Sequence, residues 1–184
     1  CSEGLWYLRW FTPSCEVQLC GHATLAATLA LHHWQQLPIG TAQQLQTKSG
    51  PLRVELQSAT SAAIDLPSGG LKPRSKEPWM QPFQPLQQWT SDLGYGVLLL
   101  DRGAELQQLN PDDPCWANTS EKAWVVMQPC SSGCDYQLRF FAPGLGLRED
   151  PVTGSAHALV APWWCEHLGQ ASVSGWQPSH RPGG

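Results

Sequence analysis

The sequence predicts an α+β fold built as two related lobes, and three observations point to it. Short β-branched or aromatic segments lead twice into a glycine-led helical segment. A proline-dense stretch containing Pro73, Pro78, Pro82 and Pro85 separates the two runs. Finally, 17 Gly, 16 Pro and 10 Trp in 184 residues describe a turn-rich chain with bulky packing residues, not a long helical bundle.

Strands are expected at residues 5–11, 52–57, 62–66, 96–100, 123–127 and 136–141, each short and closed by Pro, Gly or Ser. Helices are expected at 21–34, briefly at 104–109, and at 153–167. Residues 68–90 cannot sustain a helix interior or a central strand, because proline lacks an N–H and clashes with the preceding turn. They are therefore expected to connect an N-terminal lobe, 1–67, to a C-terminal lobe, 91–184.

Composition removes several classes of function. Hydrophobic residues make up 41% and charged ones only 14%, which disfavours disorder, and a net charge of -4 with scattered Lys and Arg gives no footprint for nucleic acid. No apolar run reaches the roughly 18 residues of a membrane span, and no secretory signal opens the chain. Seven cysteines, an odd number at irregular positions, argue against a disulfide framework and fit free thiols in the cytoplasm. Cys130 and Cys134 have the look of a metal half-site, but no second pair follows at matching spacing, so no metal is expected. The second glycine of a hydrolase nucleophile elbow is missing after Gly154-Ser155, and no phosphate-binding Gly-x-x-x-x-Gly-Lys loop occurs.

The chemistry is expected at the two helix heads, around Cys20-Gly21-His22 and Thr153-Gly154-Ser155. Unpaired amides and the positive end of the helix dipole make such a terminus a receptor for a carboxylate or phosphate, although ordinary capping produces the same pattern. Gly21 and Gly154 allow close approach, and Thr153 or Ser155 could add a hydroxyl. His22, in a first turn, is favoured as a neutral imidazole able to relay a proton. Asp150 either caps the second helix or orients a catalytic partner. Cys20 sits where a thiolate is stabilised. The second head has Thr153 where a partner thiol would stand, which disfavours a two-thiol mechanism.

The residues also carry a family resemblance. Leu8-Arg9-Trp10-Phe11-Thr12-Pro13, Leu19-Cys20-Gly21-His22-Ala23-Thr24, Arg139-Phe140-Phe141-Ala142-Pro143, Glu149-Asp150-Pro151-Val152-Thr153-Gly154-Ser155-Ala156-His157 and a final Gln177-x-Ser179-x-Arg181 resemble, in order and spacing, the PhzF-like phenazine biosynthesis family of the diaminopimelate epimerase superfamily. The resemblance implies two pseudo-repeated lobes, each a curved sheet around a central helix, with the active site where the two helix N-termini meet. It implies an isomerase that shifts a proton on a small carboxylate-bearing substrate without metal or cofactor, and it leaves a homodimer open. His22, Asp150 and Ser155 take the positions of catalytic residues, and Gly21, Thr153 and Gly154 those of substrate-binding ones. The family's general acid/base is a glutamate upstream of the Leu-Arg-Trp-Phe strand, and no matching motif precedes it here. Glu3 stands too close to that strand, and Glu16 reads as structural. The chain is accordingly expected to be truncated at both ends. An inactive small-anion-binding remnant and a single-thiol epimerase using Cys20 are the competing readings.

Overall fold

The computed structural model describes residues 6–11, 16–17 and 19–179, and the chain divides into two units, Cys1–Pro67 and Ser68–Gly184. The first holds β1 (Trp6–Tyr7), β2 (Trp10–Phe11), β3 (Glu16–Val17), α1 (Gly21–His33), β4 (Ala42–Thr47), β5 (Gly50–Ser58) and β6 (Ser61–Ile64). Its main sheet runs β1-β4-β5-β6, and β2 pairs with β3 alone. On β5, Leu52, Val54 and Leu56 are buried while Pro51, Arg53 and Gln57 are exposed. That period of two gives the sheet one apolar face. Leu29 and Leu31 of α1 pack on it with Leu37 and Leu45. Thr24 and Thr28 are also buried in α1, and their hydroxyls donate to the carbonyls of Cys20 and Thr24, at 2.7 and 2.8 Å. Back-bonding of this kind satisfies a polar group inside a helix.

The strand expected at 5–11 is two strands in the structure. β1 lies parallel to β4 and β2 antiparallel to β3, while Leu5 falls outside the described residues. Alternating apolar residues mark extended chain and do not reveal a change of partner at Leu8 and Arg9. β4 was not expected, because Gln43, Gln44 and Gln46 surround its one fully buried apolar residue, Leu45.

The second unit holds β7 (Leu71–Pro73), β8 (Gln87–Ser91), β9 (Tyr95–Leu99), β10 (Ala123–Pro129), β11 (Tyr136–Phe141), α2 (Gly154–Leu168) and β12 (Gly175–Trp176), in one sheet of order β12-β11-β10-β9-β8-β7. β9 and β10 pair in parallel and are covered on both faces, which explains their unbroken apolar sequence. On one face Val97, Leu99, Val125, Met127, Leu138 and Phe140 meet Ala156, Leu159, Val160 and Trp164 of α2. On the other, Leu98, Trp124, Val126 and Phe141 meet Met80, Leu106 and Trp116 from short 3-10 turns. The α+β class expected from sequence is thus observed as a sheet with one helix in each unit. The helix expected at 104–109 is a single 3-10 turn, Leu106–Gln108.

Residues 68–90 differ from expectation. They do not merely connect two lobes: β7 and most of β8 lie within them and form the edge of the six-stranded sheet. Pro73 ends an edge strand, and Pro78 and Pro82 fall in the 3-10 turn Pro78–Phe83, so no proline occupies a central strand. The free-thiol expectation is corrected at Cys130 and Cys134, which form a disulfide across the turn between β10 and β11. The hairpin brings their Cα atoms to 5.6 Å, inside disulfide reach. Cys20, Cys115 and Cys165 remain thiols, while Cys1 and Cys15 lie outside the described residues. Among the described residues, no helix is long and apolar enough to cross a membrane.

Gly96 stands opposite Trp124 across β9 and β10. A Cβ there would lie 2.2 Å from the indole ring, so the glycine is a seat for that side chain. Gly96→Ala is expected to cost about 1–3 kcal/mol by overpacking, visible as a lower urea midpoint at unchanged slope. An unshifted midpoint would show that the indole can move without loss.

Candidate functional site

At the α1 head the chain reaches Cys20 in an extended conformation and turns helical at Gly21, with no side-chain cap. The Thr24 N–H closes the first turn on the Cys20 carbonyl at 3.1 Å. Cys20 Sγ lies 3.5 Å from His22 Nε2 and 3.8 Å from Nδ1. His22 is exposed, and the first turn holds no acidic side chain that would compete for an anion. Thiol and imidazole therefore share one helix head.

The α2 head is built by fastening the loop before it on two sides. Arg139, on β11, reaches Glu149 with Nε and Nη2, both at 2.7 Å, the guanidinium buried and the carboxylate nearly so. One residue on, the Asp150 N–H donates to the Phe140 carbonyl at 3.0 Å, and its Oδ1 accepts the Val152 N–H at 3.1 Å. On the other side, the fully buried Gln177 accepts the Thr153 N–H through Oε1 at 2.9 Å. Its Nε2 donates to the Asp150 carbonyl and, at 3.2 Å, to Thr153 Oγ1.

This geometry distributes the expected residues. Asp150 does not cap α2: the N-cap is Thr153, without a side-chain cap bond. Thr153 is buried, its hydroxyl donates to the Asp150 carbonyl at 3.2 Å, and its N–H is held by Gln177. The N–H and hydroxyl of Thr153 are thus both engaged inside the loop. Gly154 and Ser155 open the helix and are half-buried. Ser155 Oγ lies 3.5 Å from the Tyr95 hydroxyl. The sequence reading missed Tyr95, and no local signal marks it. It also gave no role to Gln177, whose polar side chain in the short C-terminal motif was the available clue.

Glu16 pairs with Arg9 through two hydrogen bonds of 3.0 and 2.9 Å. The guanidinium holds its carboxyl below the usual carboxylate range. A carbon acid needs a base shifted the other way, so Glu16 is built as an ion-pair partner. Cys115 is no better a reagent, because burial and Asp113 push its thiol up to about 12. Among the described residues, no three His, Cys, Asp or Glu side chains gather as metal ligands.

Comparison with known proteins gives the same direction. The model of a family described as phenazine biosynthesis-like protein matches residues 2–68 and 81–183. An uncharacterized isomerase of Pseudomonas aeruginosa is 34% identical over 186 residues, spanning 97% of this chain and 68% of that protein. A human phenazine biosynthesis-like domain-containing protein is 31% identical over 203 residues, spanning 96% of this chain and 67% of its own length. The crystal structure of a PhzF-family phenazine biosynthesis protein from Enterococcus faecalis matches with a TM-score of 0.89 at 28% identity, covering 100% of this chain and 70% of that one. A match to the family model over most of the sequence, with relatives above 30% identity along nearly all of it, settles the kinship: the chain belongs to the phenazine biosynthesis-like protein family.

Proposed function

We propose that the chain carries the substrate-holding residues of a cofactor-independent isomerase that shifts a proton on a small carboxylate-bearing substrate. The observation that carries this reading is the doubly fastened loop before α2, which fixes Asp150 beside a helix head opened by Gly154 and Ser155. Naming of the Pseudomonas relatives as isomerases supports it. In this reading the first amides of α2 and the Ser155 hydroxyl receive the substrate carboxylate. Asp150 orients the substrate and balances developing charge, and His22, at the head of α1 in the first unit, is proposed separately as a proton relay. The base that removes the C–H proton is a carboxylate other than Glu16.

The test is solvent deuterium incorporation, followed by proton NMR, across a panel of small dicarboxylates, amino acids and unsaturated hydroxy acids. Expected is exchange at one carbon of a panel member, with shifts of the Gly154 and Ser155 amides on adding it. Neither exchange nor amide shifts anywhere in the panel would overturn the proposal. A second reading, a single-thiol epimerase, is favoured by the 3.5 Å approach of Cys20 Sγ to His22 Nε2. It requires Cys20→Ser to lose about 10²–10⁴ in exchange rate, the usual range for a missing acid/base group. The carboxylate mechanism expects that variant to stay within a few-fold of wild type.

A further inference from the structure

Cys130 and Cys134 are joined over a turn whose inner residues, Ser131, Ser132 and Gly133, are all exposed, and the two cysteines are themselves only half-buried. With Gln107, Gln137 and Trp176 they line an open concavity of about 400 Å³. A disulfide so placed is of the labile kind, because a reducing thiolate can reach it. Cys130 Sγ also stands 3.3 Å from the Ser132 carbonyl. In the disulfide that sulfur carries no proton, but a Cys130 thiol would find its acceptor already in place. At Cys130 the turn thus suits both redox states.

The turn also holds β12. Across the base of the turn the Cys130 N–H donates to the Asp135 carbonyl at 3.1 Å. Asp135 in turn receives the chain that enters β12: its N–H donates to the Ser174 carbonyl at 2.9 Å, and its Oδ2 accepts the Ser174 N–H at 2.6 Å. One residue on, a Cβ on Gly175 would lie 2.5 Å from Tyr136 Cζ, so β12 is seated directly against β11. Gln177, three residues after Ser174, accepts the Thr153 N–H and donates to the Asp150 carbonyl. A continuous path of bonds therefore leads from the disulfide, through Asp135, Ser174 and β12, to the loop before α2.

We propose that the Cys130–Cys134 bond is a site of thiol–disulfide exchange with a dithiol reductant, and that its reduction slackens β12 and with it the Asp150–Thr153 loop. In the exchange, a reductant thiolate forms an S–S bond with one of the two cysteine sulfurs, and the Cys130–Cys134 bond breaks to release the other cysteine as a thiolate. The reductant's second thiolate then closes its own disulfide and frees the first cysteine. Two electrons and two protons pass to the protein, and the reductant leaves oxidised. A cross-link acts chiefly by removing conformations from the open chain, so reduction returns that freedom to the turn, and Asp135 is the first anchor to feel it. β10 and β11 stay paired from Trp124 and Phe141 to Pro129 and Tyr136 without the bond, which keeps the effect local. Its bearing on catalysis, unlike the motion itself, rests on the reading of Asp150 as part of the substrate site.

The experiment compares amide hydrogen exchange of the full chain by NMR, air-oxidised and then treated with dithiothreitol, with the cysteine linkage read by peptide mapping. Expected is a fall of about tenfold in the protection of the Ser174 and Thr153 amides on reduction, the size of one hydrogen bond, with recovery on reoxidation. The amides of Val125 and Val126, in the middle of β10, are expected to keep their protection. Cys130→Ser combined with Cys134→Ser is expected to give the reduced pattern with or without dithiothreitol, which separates this bond from the other cysteines. Asp135→Ala keeps the disulfide and removes the acceptor for the Ser174 N–H, and is expected to lower Thr153 protection in the oxidised protein. Cys130 and Cys134 unlinked after oxidation, or Thr153 protection indifferent to reduction, would overturn the inference. So would a loss at Val125 and Val126 in step with Thr153, since the bond would then support the whole unit. None of these readouts uses turnover, so an absence of isomerase activity would refute the proposed function and leave this result standing.

Discussion

Arg139→Met is expected to destabilise the second unit by roughly 3–5 kcal/mol, the cost of leaving one member of a buried ion pair behind. The guanidinium is 3% exposed and Glu149 9%. Nε and Nη2 meet the carboxylate in a fork, while Nη1 donates to the carbonyls of Leu106, Gln107 and Leu109, at 3.1, 3.2 and 2.6 Å. The plane also lies over the Phe141 ring, 4.8 Å from its centroid. Methionine fills much of the volume but abandons a buried charge and the carbonyls of Leu106, Gln107 and Leu109. Breaking a pair and replacing a pair are different operations. Arg139→Met combined with Glu149→Leu is expected to regain part of the loss, because the charge goes and only the carbonyls stay unmet. Urea unfolding followed by tryptophan fluorescence measures both variants. A single-variant loss below about 1 kcal/mol would mean that the pair behaves as if on the surface.

That pair also shows what the sequence conveyed and what it concealed. Arg139 and Glu149 both stood in recognisable motifs, yet nothing local revealed that they touch across ten residues and tie β11 to the loop before α2. Elements whose signal is local were legible. β10 and β11 announce themselves as apolar runs that fill both faces of a sheet, and α1 and α2 both begin at glycines. Elements stabilised by partners were not. β4 is mostly glutamine, and β7 contains a proline and earns its place only as an edge against β8. Cys130 and Cys134 were read by the spacing of metal ligands, whereas the hairpin turn between them decides their chemistry.

The candidate site divides in the same way. Gly21, His22, Gly154 and Ser155 follow from the rule that helix heads receive anions, a property of the backbone that sequence displays directly. Thr153 followed from the same rule and proved to be committed inward, because its partner Gln177 lies 24 residues away. Tyr95, Tyr136 and His157 join the α2 head through sheet pairing and β12, contacts fixed by tertiary structure alone.

Asp150 is where geometry and chemistry can be separated by substitution. Its Oδ1 accepts one hydrogen bond, from Val152, while its backbone N–H and C=O are held by Phe140 and Gln177. Asparagine keeps an oxygen for Val152 and removes only the charge; alanine removes both. Asp150→Asn is therefore expected to unfold within about 0.5 kcal/mol of wild type, and Asp150→Ala to lose about 1 kcal/mol for one missing hydrogen bond. In the deuterium assay both are expected to fall by about 10²–10⁴, since the charge that balances the reacting centre is gone in each. A purely structural Asp150 gives the opposite pattern, with Asn near wild type and Ala impaired only as far as it is unstable. Equal losses from two variants of unequal stability would tie Asp150 to the reaction; an active Asn variant would return it to the loop.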